Sequence, residues 1–289
     1  MLNNTLTVDN LIKIIETPRD GFQALDTIIS TDKKVAYINQ LLRSGFQTVE
    51  VGSFVSPRLI PQMADTAEVL NRLDLTDVAT EIAVLTATEK GGKMACEFKQ
   101  VDQVFFPFST SPTFLKRNIR STLKQADQTI DGLQNLCLKH NKEMVVFFSM
   151  GFGSAYGDPW SMDILYEWVE RMMDKELNIF PFSDIFGDTD PLIIEKVFRL
   201  LIKEFPDAEF GLHLHSLPAK RKEKVIAAYR AGIRRFDTVI NGLGGCPQTG
   251  KDLVGNLPLD VMLEICQQQN IRHEINQVEL SKALSLYPV

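Results

Sequence analysis

Glu209-Phe210-Gly211-Leu212-His213-Leu214-His215 reads as a short apolar strand with two histidines near its end. Side chains alternate faces along a strand, so His213 and His215 point the same way. Two imidazoles on one face can share a metal ion, and two polar residues at a sheet edge would look the same, so the pair alone does not choose. The chain holds four histidines, and half of them stand here. Downstream, Pro218 opens a helical stretch that Gly232 stops. This strand–loop–helix pattern recurs along the chain, and the recurrence decides the fold.

Apolar, β-rich runs stand at 11–15, 48–51, 78–85, 101–106, 144–148, 179–182, 208–215 and 236–240. Helical spacing follows them at 31–43, 62–73, 89–98, 114–140 (one helix or two), 159–175, 191–205, 218–231 and 257–269. Eight such units predict an α/β fold, a (β/α)8 TIM barrel. A doubly wound open sheet is the alternative, but the first strand–helix turn has no Gly-x-Gly-x-x-Gly. One catalytic domain is expected over 1–289, the barrel at about 8–270 and a short C-terminal helical tail at 271–289. That tail is too short for a domain and is expected to pack across the barrel or onto a neighbouring subunit.

Composition is that of a soluble globular chain: 289 residues, 44% hydrophobic and 24% charged. A net charge of -6 argues against general nucleic-acid binding, which needs a basic footprint. No apolar run reaches membrane-spanning length, and residues 1–5 lack the charged and apolar regions of a signal peptide, so no membrane partner is expected. The four cysteines form no paired framework, which suits a cytoplasmic protein with free thiols. Cys96, Cys137 and Cys266 read as helix packing, and His140 and His273 as surface residues.

In a barrel, chemistry gathers at the C-terminal ends of the strands. The residues just past each run are Arg19, Asp20 and Gln23; Glu50 and Ser53; Tyr156; Asp184; His213 and His215; and Asn241, Cys246 and Asn256. Asp20, the two histidines and an amide oxygen from Asn256 or Asn241 make a mixed oxygen–nitrogen set for Mg2+, Mn2+, Co2+ or Zn2+. Arg19 is placed for a developing oxyanion, and an inward Glu50 needs a cation, for which Arg19 is the evident partner. Cys246 sits in Gly242-Leu243-Gly244-Gly245-Cys246-Pro247, a loop able to carry a thiol to a substrate or simply to turn the chain.

Three stretches resemble the 3-hydroxy-3-methylglutaryl-CoA lyase family, among the metal-dependent barrels that include isopropylmalate and homocitrate synthases. They are Pro18-Arg19-Asp20-Gly21-Phe22-Gln23, Glu50 with Ser53-Phe54-Val55-Ser56-Pro57 and Pro61-Gln62-Met63-Ala64-Asp65, and the Cys246 loop with Gly255-Asn256-Leu257. The resemblance implies Asp20, His213, His215 and Asn256 as ligands of a divalent metal, Mg2+ or Mn2+. It implies Arg19 as the enolate stabiliser, Glu50 as its orienting partner, and Asp184 and Cys246 in proton transfer. Gln23, Ser53 and Tyr156 would contact an acyl-CoA substrate, and the assembly would be a homodimer. The reaction implied is retro-Claisen cleavage of 3-hydroxy-3-methylglutaryl-CoA to acetyl-CoA and acetoacetate. Two departures leave room for a related 3-hydroxyacyl-CoA or 3-hydroxy acid: Ala24-Leu25-Asp26 follows Gln23, and Ser216-Leu217-Pro218-Ala219 follows His215 where the family has an acid first. A condensing acyltransferase of the same barrel group, and a scaffold that has lost catalysis, are the other readings.

Overall fold

A computed structural model describes residues 10–23, 25–246 and 254–288; Ala24 and Pro247, both named above, lie outside them. Eight parallel strands run in sequential order around a closed barrel. They are β1 (Lys13–Glu16), β2 (Thr48–Ser53), β3 (Glu81–Leu85), β4 (Gln103–Ser109), β5 (Glu143–Ser149), β6 (Ile179–Asp184), β7 (Glu209–Leu214) and β8 (Arg235–Thr238). Closure is made by β1, which pairs with β2 at Ile15↔Thr48 and with β8 at Ile14↔Phe236. The fold is the (β/α)8 barrel that the repeated units predict.

Eleven helices are described: α1 (Pro18–Phe22), α2 (Thr31–Leu41), α3 (Thr66–Asn71), α4 (Glu89–Glu97), α5 (Pro112–Asn118), α6 (Leu123–Lys139), α7 (Met162–Met173), α8 (Pro191–Glu204), α9 (Pro218–Ala231), α10 (Leu259–Gln269) and α11 (Gln277–Ser285). Their starts are written locally. Ser30, Thr88, Ser111 and Ser161 each accept a main-chain N–H of the first turn, and Thr122 closes a capping box with Gln125. The stretch 114–140 breaks in two because Arg120 takes a left-handed φ of 53° and Thr122 restarts the helix. The single turn α1 falls where the sequence suggested a polar loop. Pro18 at its first position presets the helical φ and needs no N–H partner.

β4 runs on through Pro107, past the expected end of its run. Its pairing to β3 stops at Leu85↔Phe105, so the missing proline N–H breaks no ladder there. The tail carries one further helix, α11. α11 packs on α2 at the outside of the barrel, held by a 2.7 Å hydrogen bond from Gln40 to Glu279, with Tyr287 set edge-on to Tyr37. Among the described residues no helix is long and apolar enough to cross a membrane.

The main apolar layer lies between strands and helices, while a small cluster fills the barrel itself: Ala83, Phe105, Val145, Phe147 and Ile179. Below that cluster the barrel floor is polar. Gln103 donates to Glu81 (3.0 Å) and Glu143 (2.7 Å), and Glu209 takes Lys13 and Arg235.

The β1–β8 seam holds a buried acid. Glu16 accepts hydrogen bonds from the Thr238 hydroxyl (2.8 Å) and the Ile240 N–H (2.7 Å). Burial pushes its pKa up to about 8 against those two bonds. A folded pKa above the ordinary carboxylate value means the folded state keeps a proton that the unfolded chain loses. The stability from this group is complete below about pH 4.5 and is lost as pH rises towards about 8. Thermal unfolding of Glu16→Gln should therefore show a shallower fall in melting temperature across that window than the parent protein. Parallel profiles for the two would remove Glu16 as the cause.

Candidate active site

Strand β1 ends at Glu16, and α1 turns at once over the barrel mouth. Thr17 ties this turn to β8 through its N–H (2.9 Å) and hydroxyl (3.0 Å), both donated to the Thr238 carbonyl. Arg19 and Asp20 are thereby carried inward. The Arg19 guanidinium forks onto Glu50 of β2, with Nε and Nη2 each donating at 2.8 Å. Its Nη1 donates to Asp20 Oδ1 and Gln23 Oε1, both at 3.0 Å. Gln23 Nε2 in turn donates to Asp20 Oδ1 at 2.6 Å.

Across the mouth, His213 and His215 stand on one face at the end of β7, with ring centroids 5.0 Å apart. Each of Asp20, His213 and His215 offers a ligand atom, and all three atoms lie within 4.8 Å of one another. His213 Nε2 is 3.9 Å from Asp20 Oδ2, and its Nδ1 meets Asp237 Oδ2 at 3.1 Å. His215 Nδ1 is buried without a well-formed hydrogen bond beside the Val254 main chain.

The charges suit a cation. Burial alone would raise the Asp20 pKa, but the charges of Arg19 and the two histidines, with the Asn256 hydrogen bond, hold it below the ordinary value. Burial and the charge of His213 push His215 down to about 3, leaving a neutral imidazole with one lone pair to give. For His213, burial is outweighed by the hydrogen bond and charge of Asp237 and the charge of Asp20, and its pKa is raised. Burial pushes Glu50 up to about 7, and the Arg19 charge limits that rise. A carboxylate and a neutral imidazole with a buried, unsatisfied nitrogen fit a divalent ion.

The other sequence candidates are placed as follows. Asn256 is buried beside Asp20, but it turns its Nδ2 to Asp20 Oδ2 (2.8 Å) and to the Leu243 carbonyl (2.8 Å), so its amide must turn over to offer an oxygen. Asn241 is exposed with a left-handed φ of 64°. Gln23, Ser53 and Cys246 line one cavity with Arg19, Asp20, Glu50 and both histidines, with a volume of about 910 Å3. Ser53 Oγ accepts from Val55 N–H at 3.1 Å. Tyr156 stands beside Cys246, packs against the Phe114–Met150–Ile185 cluster and lies under the Arg117 guanidinium at 4.6 Å. His140 and His273 are half-buried, not the surface residues their polar surroundings suggest. His273 packs into the turn before α11, where its Nδ1 accepts the Ile275 N–H.

Asp184 is not brought to the cavity. Along β6 it is Ser183 that faces in and lines the cavity, so Asp184 points outward towards the helices. There it accepts from the fully buried Lys224 of α9 at 2.6 Å and from the Gly187 N–H at 3.1 Å. Sequence reading missed Lys224 and Asp237. Asp237 had a usable signal, since it is an acid beside the apolar Phe236 within a β-rich run. Lys224 had none, because it ends the run Lys220-Arg221-Lys222-Glu223-Lys224, which looks solvated.

A closed (β/α)8 barrel with a forked arginine and an Asp–His–His cluster at the strand ends defines a barrel enzyme with a candidate metal centre. The HMGL-like family description matches residues 11–286. The chain belongs to that family, and by this membership it is a carbon–carbon lyase. It is similar to the hydroxymethylglutaryl-CoA lyase of Bacillus subtilis, at 28% identity over 93% of this chain and 88% of that protein. The human mitochondrial hydroxymethylglutaryl-CoA lyase is 27% identical over 96% of this chain and 85% of its own length. Among solved structures, an HMG-CoA lyase from Acinetobacter baumannii in complex with coenzyme A and 3-methylmalate superposes with a TM-score of 0.86 at 27% identity, covering 95% of this chain and 89% of that one. The Bacillus subtilis HMG-CoA lyase structure gives 0.87 at 27% identity, covering 96% and 91%.

Proposed function

We propose that the protein cleaves 3-hydroxy-3-methylglutaryl-CoA to acetyl-CoA and acetoacetate in a metal-dependent retro-Claisen reaction. One observation carries the reading: a forked Arg19 and the Asp20–His213–His215 cluster line one cavity of about 910 Å3. The exposed cations Lys90, Arg117 and Arg120 line the same cavity and suit the phosphates of a CoA tail. A divalent ion, Mg2+ or Mn2+, held by Asp20, His213 and His215 with Asn256 would supply Lewis acidity at the substrate oxygens.

The chain's own residues do the rest. Arg19 offers an N–H to the thioester oxygen as enolate charge develops there, and Glu50 fixes its plane. Gln23 holds Asp20 and Arg19 in register. As the bond between the thioester's α-carbon and the hydroxyl-bearing carbon breaks, the hydroxyl gives its proton to water in the open cavity, the carbon–oxygen double bond of acetoacetate forms and the electron pair of the broken bond passes into the enolate. Cys246, at the cavity wall beside Tyr156, would protonate the enolate carbon. Asp184 is in this reading a positioning residue, since its carboxylate is engaged by Lys224. A homodimer and a cytoplasmic location belong to the same reading and rest on the resemblance and the free cysteines.

A second reading keeps the chemistry and changes the acyl group. Phe54, Val55, Leu59, Ile60, Met63 and Met94 give the cavity an apolar wall that would take a branch larger than methyl.

Protein stripped with chelator should show no cleavage, and Mg2+ or Mn2+ should restore it, read as acetyl-CoA and acetoacetate by mass spectrometry. A panel of 3-hydroxyacyl-CoAs run alongside separates the two readings. No acetoacetate at any metal concentration, with turnover of a bulkier substrate, would replace the first by the second. Metal-independent cleavage would sink both.

A further inference from the structure

The barrel interior directly beneath the histidines holds polar groups that the reaction does not use. On β7 the inward residues are Glu209, Gly211 and His213; on β8 they are Arg235 and Asp237. The register sets His213 beside Asp237, and Gly211 beside Arg235 one rung below. A Cβ on Gly211 would stand 3.0 Å from Arg235 Cδ and 3.1 Å from its Cγ, so the glycine leaves the arginine room to lie across β7 under His213.

Arg235 is 1% exposed and fully inside the barrel. Among the described residues its one hydrogen bond is long, from Nη1 to Glu209 Oε1 at 3.4 Å, while Nε and Nη2 have no partner there. One rung up, Asp237 spends Oδ2 on His213 and has no partner at Oδ1 among the described residues. Unsatisfied donors thus lie one rung below an unsatisfied acceptor on the same face of one strand. Buried polar atoms are rarely left so, and a bound water accepting from the arginine and donating to the aspartate answers both ends.

We propose that Arg235, through a buried water and Asp237, is a positioning residue for the candidate metal centre, holding His213 with Nδ1 protonated and Nε2 turned towards Asp20. The proposal rests on the reading of Asp20, His213 and His215 as metal ligands. A carboxylate behind a ligating histidine fixes both tautomer and ring angle, and loss of such a partner typically weakens metal binding by about 10–100-fold. Arg235 extends that support one layer down. The guanidinium keeps the second carboxylate oxygen occupied, so Asp237 does not swing from the ring.

Two readouts test this. In 15N-histidine-labelled protein without metal, long-range 1H–15N spectra should show His213 protonated at Nδ1; protonation at Nε2 instead overturns the proposal whatever the metal does. Titration of metal-free protein with Mn2+ by calorimetry should then show Asp237→Asn weakened by about 10–100-fold and Arg235→Met by about tenfold, with Arg235→Lys recovering most of the loss. Glu209 keeps Lys13 as its partner in Arg235→Met, so the floor is not left with an unpaired acid. A folded Arg235→Met that binds Mn2+ within twofold of the parent and keeps a single His213 tautomer overturns the role of Arg235. Failure of the parent protein to bind Mn2+ sinks the metal reading, while the His213 spectrum still decides the support beneath it.

Discussion

Arg19→Met should lower kcat for thioester cleavage by about 10²–10³-fold, the usual loss when one oxyanion donor is removed. The guanidinium has five N–H groups. Four are committed: two to Glu50, one to Asp20 and one to Gln23. The one that remains belongs to Nη2, in a side chain that lines the cavity. Methionine has nothing to offer a developing enolate. It also leaves the Glu50 carboxylate buried with no cation, so the same variant should melt lower. Arg19→Lys should not rescue turnover, because an ammonium cannot span both Glu50 oxygens and still present a donor at the same place. Mn2+ affinity should not fall in Arg19→Met, since the charge removed is positive and sits against Asp20. A variant that turns over within tenfold of the parent would take Arg19 out of the reaction. One that loses metal and turnover together would make it a structural prop of Asp20.

The largest effect on stability is expected from Lys224→Met. Lys224 is 0% exposed, and its ammonium donates to Asp184 Oδ2 at 2.6 Å and to the Gly187 carbonyl at 2.8 Å. Removing one member of a buried ion pair costs about 3–5 kcal/mol, because the other charge stays behind unpaired. At about 2–4 °C per kcal/mol for a chain of this size, the melting temperature should drop by roughly 6–20 °C. The double variant Lys224→Met with Asp184→Leu should regain much of that, since a well-packed apolar pair often replaces a buried ion pair at little cost. If the double variant is no better than the single, the penalty lies in the lost Gly187 contact and not in the stranded carboxylate. The pair also touches function. The Asp184 carbonyl accepts the His215 N–H at 3.2 Å, and Gly187 packs so close to His215 that a Cβ there would sit 3.1 Å from its carbonyl oxygen.

What the sequence made legible follows from how far each signal reaches. Strand alternation is local, so the shared face of His213 and His215 was readable, and so was the need of an inward Glu50 for a cation. The number of strand–helix units was readable for the same reason, and with it closure. Asp184 was not. Residues 179–182 of β6 are apolar on both faces, so nothing in them says which parity looks inward, and only pairing of Ser183 with His213 decides it. Lys224 depends on a still more distant event, the approach of the β6 end to the inner face of α9. The turn α1 hid behind its own composition: Pro-Arg-Asp-Gly suggests a loop, and it is the Thr17–Thr238 tie across the seam that sets its direction.

That seam has a consequence for the newborn chain. The candidate metal centre draws Asp20 from the turn after the first strand, His213 and His215 from the end of the seventh, and Asn256 from beyond the eighth. The turn that aims Asp20 is itself fastened to Thr238. While the ribosome is still working through the first six units, the nascent protein has no mouth for Asp20 to face and no pair of imidazoles to meet it. Metal capture at this centre would therefore be a late event that follows completion of the ring, and a chain stalled before Thr238 carries its arginine and aspartate on a turn not yet fastened across the seam.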